Sequence, residues 1–161
     1  MIVIIMGVVG AGKTTIGTLL ANQLGWQFAD ADDFHRPTNI EKIRQGIPLT
    51  DADRAPWLKS LSHTIEGWIA ANENAVLACS ALKRSYREKL SVAPEVRFVY
   101  LKGSLEFIAG RLHARHGHFA GESILASQIA DLEEPELAIV ADIRQAPLQI
   151  VDSIRKQLGL G

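Results

Sequence analysis

Short apolar runs recur along the chain, with helical stripes between them. Ile2–Met6 is apolar at every position and mostly β-branched, the pattern of a strand covered on both faces in a parallel sheet. In Thr15–Leu24, Ile16, Leu19, Leu20 and Leu24 fall on one helical stripe, and Gly25 follows as a stop. Trp26–Asp30, Ala75–Cys79, Arg97–Leu101 and Ile139–Ala141 read as further strands. Asn39–Gln45 predicts a short helix ended by Gly46. Ile47–Pro56, with Pro48 and Pro56, reads as a polar loop. Trp57, Leu58, Leu61, Ile65, Trp68 and Ile69 then mark a long amphipathic helix. Leu105, Ile108 and Leu112 mark another over Ser104–His113, and Pro147–Leu158 forms the last. Ala114–Glu122 has no period and is expected to be a mobile loop. Strands alternating with helices predict an α/β fold built on a parallel sheet.

Composition narrows the class. A chain of 161 residues with 47% apolar positions suits one globular domain spanning 1–161. The 17 Lys and Arg against 18 Asp and Glu give a net charge of −1, which argues against a nucleic-acid binder with a broad basic face. The apolar run Met1–Val9 is far short of the ~20 residues a membrane span needs. It also lacks the basic start and cleavage site of a signal peptide. A single cysteine, Cys79, allows no intrachain disulfide and suits a reducing compartment. A cytoplasmic protein with no membrane or nucleic-acid partner is expected.

The chemistry begins between the first strand and the first helix. Gly7, Val8, Val9, Gly10, Ala11, Gly12, Lys13 and Thr14 match G-x-x-x-x-G-K-[ST]. A chance match in this length is on the order of 1 in 200. The glycines allow backbone N–H groups to face phosphate, Lys13 reaches the β- and γ-phosphates, and the Thr14 hydroxyl suits Mg²⁺. Thr15 follows at the helix N-terminus, whose dipole favours an anion. The motif points to a nucleoside triphosphate, with ATP expected.

Many phosphate-loop proteins carry a magnesium-binding Asp at the end of another central strand. Ala75–Cys79 carries none. The acids follow the second strand instead, at Asp30, Asp32 and Asp33. One of them can orient Mg²⁺ through water, and another can take a proton from an attacking hydroxyl. A carboxylate beside the phosphate loop suits a small-molecule kinase. A switch GTPase would need a guanine-reading Asn-Lys-x-Asp run, which does not occur.

These blocks together resemble gluconate kinase, a branch of the phosphate-loop small-molecule kinases related to shikimate kinase. The resemblance runs through Met6–Thr14, Asp30–Asn39, Asn39–Leu58, Cys79–Arg87, Phe98–Lys102 and Gly117–Phe119, with Ser127, Gln128, Leu132 and Glu133 adding a late match. It implies a three-layer kinase fold: a central parallel five-stranded sheet flanked by helices, plus a mobile lid at about 114–123. It implies transfer of the ATP γ-phosphate to the 6-hydroxyl of D-gluconate, with Mg²⁺, in a homodimer. Gluconate is a polyol with a carboxylate, so its pocket calls for cations and hydrogen-bonding groups. The matched blocks offer His35, Asn39, Arg54, Lys83 and Arg87, and spacing leaves open which of Arg54, Lys83 and Arg87 meets the carboxylate. By the same analogy Arg115 reaches the transferring phosphate and Arg111 lies near the nucleotide. Asp32 is the candidate to orient the hydroxyl or accept its proton, and Asp30 the candidate for Mg²⁺. Two other readings remain open: a kinase for another hydroxylated acid such as shikimate, and a regulatory protein that binds ATP without transferring it.

Overall fold

The computed structural model describes residues 1–116 and 122–161. Five strands run parallel: β1 (Ile2–Met6), β2 (Gln27–Asp30), β3 (Ala75–Ala78), β4 (Val96–Lys102) and β5 (Ile139–Asp142). Their order in the sheet is β2-β3-β1-β4-β5. Strand β1 is central, with Ile5 in register with Ala78 on one side and Val99 on the other. All five of its residues are buried, which explains a strand with no polar alternation.

Alternate residues of β1 build two cores. Val3 and Ile5 meet helices α1 (Lys13–Leu24) and α7 (Pro147–Gln157) through Ile16, Leu20, Ile150 and Ile154. Ile2, Ile4 and Met6 face α3 (Asp51–Ala70) and α4 (Arg84–Leu90) through Leu58, Leu61, Ile65 and Leu90. Helices on both faces make three layers. Truncating a fully buried leucine such as Leu61 would cost about 2–5 kcal/mol in lost transfer energy and cavity formation.

The remaining helices are α2 (Pro37–Arg44), α5 (Leu105–His116) and α6 (Glu122–Asp131). Three differences from the sequence expectation have local causes. Helix α1 starts at Lys13, inside the glycine-rich motif, because Gly12 acts as its N-cap. Helix α2 starts at Pro37, whose fixed φ and missing N–H suit a first helical position. Helix α3 starts at Asp51, within the expected loop. The Thr50 hydroxyl accepts from Asp53 N–H at 3.1 Å while Asp53 Oδ2 accepts from Thr50 N–H at 3.0 Å. That reciprocal cap nucleates the helix before Pro56, and Trp57, Leu58 and Leu61 bury enough surface beyond it to offset the lost backbone bond. Helices α4 and α6, of 7 and 10 residues, were announced by no clear period. Of the expected lid at about 114–123, residues 114–116 continue helix α5 and residues 122–123 open helix α6, while residues 117–121 lie outside the described residues.

Candidate active site

The phosphate loop leaves β1 at Met6 and enters α1 at Lys13. Gly10 has φ +82°, and a Cβ there would stand 2.8 Å from the Leu112 side chain of α5, so both backbone and space demand glycine. Gly12 caps α1 without a side-chain hydrogen bond. The first N–H groups of the helix are thereby left for an anion. The Lys13 ammonium donates to the Val8 carbonyl at 3.1 Å. Its pKa is lowered by removal from water, against the opposing charge of Asp32.

The acidic turn reaches the loop. The Thr14 hydroxyl donates to Asp30 Oδ2 at 3.0 Å. The other Asp30 oxygen accepts from Asp32 N–H at 2.9 Å, capping a 3₁₀ turn over Ala31–Phe34. Thr14 and Asp30 thus form a pair of hard oxygen donors beside a phosphate-binding helix end. Mg²⁺ held by one or two protein oxygens, with water and phosphate completing its shell, fits that pair. Among the described residues no group of three or more His, Cys, Asp or Glu gathers as a closed metal cage. Asp32 has its pKa raised, first by desolvation and then by the charge of Asp30, with Lys13 pulling the other way.

A cleft of about 110 Å³ opens beside this turn, lined by Lys13, Asp32, His35, Arg54 and Trp57 among others. His35 stacks on Trp57 with ring centroids 4.4 Å apart and planes at 9°. Trp57 is fixed in turn by its indole N–H, which donates to the Ala31 carbonyl at 2.7 Å. The tryptophan is therefore both core packing and cleft wall. Asn39 Nδ2 donates to the Asp53 carbonyl at 2.8 Å and approaches His35 Nδ1 at 3.4 Å. Burial, and then the Arg54 charge, push the His35 pKa down from 6.5 to about 4, so this imidazole is neutral at pH 7.

Arg54 is nearly buried. Its Nη1 donates to Tyr86 Oη at 2.9 Å and pairs with Asp131 Oδ2 at 3.3 Å. Tyr86 Oη in turn donates to Asp51, and Lys83 pairs with the same carboxylate at 2.9 Å. Asp53 pairs with Lys42 at 3.1 Å. Of the three candidate cations for an acceptor carboxylate, Arg54 alone lines the cleft. Lys83 stands behind it, held by Asp51. Arg87 is buried elsewhere, donating to the carbonyls of Ala81, Leu82 and Glu133 at 2.7–3.0 Å. There it ties α4 to the chain after α6, and its guanidinium takes no place in the cleft. Asn39 is likewise a bracket behind His35.

Arg111 brings its guanidinium to the start of α1, since a Cβ on Gly12 would lie 3.8 Å from Arg111 Nη2. It also sits over the Phe107 ring, 5.6 Å from the centroid. Thr15 is exposed on the first turn of α1. Arg115 belongs to the last turn of α5, and its side chain lies outside the described residues, as does His118. Cys79 is buried, its thiol pushed up to about 12 by desolvation, which removes it as a nucleophile. Sequence reasoning did not single out Tyr86 and Asp131, the partners of Arg54, because neither sits in a motif that announces a pairing partner. Ser127 and Gln128, which also line the cleft, were legible only as part of the family resemblance.

Comparison with known proteins follows the same lines. The shikimate kinase family model matches residues 9–155. A gluconokinase of Gluconobacter oxydans is 50% identical over 133 residues, covering 82% of this chain and 75% of its own. A sugar kinase from Janibacter sp. HTCC2649, solved without ligand, is 45% identical with a TM-score of 0.91, covering 99% of this chain and 95% of that one. A gluconokinase from Sinorhizobium meliloti is 40% identical with a TM-score of 0.88, covering 98% and 90%.

Proposed function

From the premise that this chain belongs to the shikimate kinase family, and within it to the gluconokinases, we propose that it transfers the γ-phosphate of ATP to the 6-hydroxyl of D-gluconate. The observation that carries the reading is the joining of two anion sites by one acid. The phosphate loop and Lys13 border a cleft whose other wall holds Arg54, and Asp32 lines the same cleft.

The chemistry is in-line transfer without a covalent intermediate, so positioning and charge neutralisation supply the rate. The N-terminus of α1 and Lys13 hold the phosphates. Arg54 takes the gluconate carboxylate through guanidinium donors left free by Tyr86 and Asp131. His35, neutral and flat on Trp57, hydrogen-bonds a hydroxyl. Asp32 orients the 6-hydroxyl and accepts its proton; its raised pKa makes it a stronger base than an ordinary aspartate. Arg111 and Arg115 add positive charge on the nucleotide side. Thr14, and Asp30 through water, would hold Mg²⁺, which would supply positive charge against the phosphates.

The rest of the reading is a single kinase domain over 1–161 that works as a cytoplasmic homodimer. No helix among the described residues is long and apolar enough to cross a membrane. The test is ADP release from MgATP with gluconate, with shikimate and with no acceptor. Gluconate should stimulate release strongly and shikimate should not. Release that ignores the acceptor would sink the assignment. Sedimentation of the purified protein tests the dimer.

A further inference from the structure

The peptide unit between Val8 and Val9 is held from both sides. Its carbonyl accepts from the Lys13 ammonium at 3.1 Å and from Ala11 N–H at 3.1 Å. Its N–H, on Val9, donates to Gln128 Oε1 at 2.7 Å, a short contact for an N–H···O bond. A peptide is planar, so its N–H and C=O turn together. Anchoring the N–H therefore sets where the carbonyl points, and that carbonyl tethers Lys13. Gln128 comes from α6, 119 residues further along the chain, and lines the same cleft as Lys13 and Asp32. The contact between Gly10 and Leu112 restrains the next turn of the loop, but van der Waals contact does not fix the rotation of a peptide plane.

We propose that Gln128 is a positioning residue for phosphoryl transfer: through the Val8–Val9 peptide it holds the phosphate loop and Lys13 in their working orientation. A flip of that peptide, which would release Lys13 from Val8, must first break the bond to Gln128. Without that acceptor the half-buried Val9 N–H loses its partner, and the plane is held from its carbonyl side alone, by Ala11 and by the lysine it is meant to position. The phosphate loop is thereby tied to the helix whose Asp131 pairs with Arg54, so one element braces both substrate sites. The activity readout rests on the gluconate kinase reading above; the nucleotide-binding readout does not.

The experiment compares Gln128→Met, which keeps length and loses the acceptor, with Gln128→Glu, which keeps an acceptor oxygen. Gln128→Ala serves as the second acceptor-free variant if Q128M melts below the assay temperature. For each, ADP release, affinity for the magnesium complex of a fluorescent ATP analogue, and the thermal midpoint are measured. Q128M should lose at least about tenfold in kcat, the scale expected of a displaced catalytic group. Its gluconate KM should stay within about twofold, its nucleotide affinity should weaken several-fold, and Q128E should turn over faster than Q128M. A Q128M enzyme with wild-type kcat and nucleotide affinity overturns the proposal. So does a Q128E enzyme as impaired as Q128M, or a loss that follows the thermal midpoint alone. If the wild type itself releases no ADP with gluconate, the acceptor assignment fails, and nucleotide affinity in the same variants still decides the role of Gln128.

Discussion

His35 makes the acid stability of this protein predictable. The imidazole is stacked on Trp57, nearly buried, and faces the Arg54 charge, and its pKa falls from 6.5 to about 4. As pH drops below 6.5 the unfolded chain takes up a proton on this histidine while the folded protein does not until near pH 4. The unfolded state binds more protons across that window, so stability falls as pH falls. The contribution is complete above about pH 6.5 and gone by about pH 4. A difference of about 2.5 pH units at about 1.4 kcal/mol each gives about 3 kcal/mol. His35→Asn removes the titration and leaves an acceptor for Asn39. It also loses the stack on Trp57, so it lowers stability at every pH, but that loss does not titrate. Urea unfolding of both proteins, followed by tryptophan fluorescence from pH 7 to pH 4.5, separates the two effects. The wild type should lose about 2–3 kcal/mol more than the variant over that range. Asp32, with its raised pKa, contributes with the opposite sign in both proteins and drops out of the difference. A gap between the two curves that does not change with pH would refute the argument.

Other expectations concern the cleft and the loop. Asp32→Asn should lower kcat about 10²-fold or more and leave the affinity for a fluorescent ATP analogue within about twofold; near-normal turnover would remove Asp32 as the base. In the wild type, kcat/KM should fall on the acid side through a pKa above 3.8, the direction set by desolvation and Asp30, and a pH–rate profile reads it. Arg54→Lys should raise the gluconate KM with the ATP KM unchanged, because a lysine cannot keep its bonds to Tyr86 and Asp131 and still present a planar fork; steady-state kinetics with each substrate varied would show an unchanged gluconate KM if another group binds the carboxylate. Gly10→Ala should cost at least about 1–2 kcal/mol from the left-handed backbone alone, with further loss where the methyl meets Leu112; denaturant unfolding measures it.

Some of this molecule was legible before folding. Strand β1 and helix α1 announce themselves because their signals are local: an unbroken β-branched run, then a 3.6-residue stripe ended by glycine. Helix α3 begins at Asp51, six residues before the apolar stripe that starts at Trp57. Pro56 looks like a breaker in one dimension, while the Thr50–Asp53 cap and the buried face beyond it decide otherwise. Helices α4 and α6 carry no stripe or stop signal that sets them apart from loops in one dimension, and their residues are held mainly by partners elsewhere in the chain.

The same division runs through the site. The residue types and spacing from Gly7 to Thr14 determined an anion-binding turn at a helix start, because dihedral freedom, backbone N–H groups and one lysine are properties of a contiguous stretch. The acids near Asp30 were visible as chemistry but unplaced. Only tertiary structure brought Asp30 to the Thr14 hydroxyl, sent Arg87 to backbone carbonyls, held Lys83 on Asp51 and left Arg54 facing the cleft. Three cations that look equivalent in sequence differ because each takes the acceptors within its reach, and reach is set by how distant segments cross. Gln128 is the clearest case: its partner, Val9 N–H, is 119 residues away, and only the folded chain brings the two within a hydrogen bond.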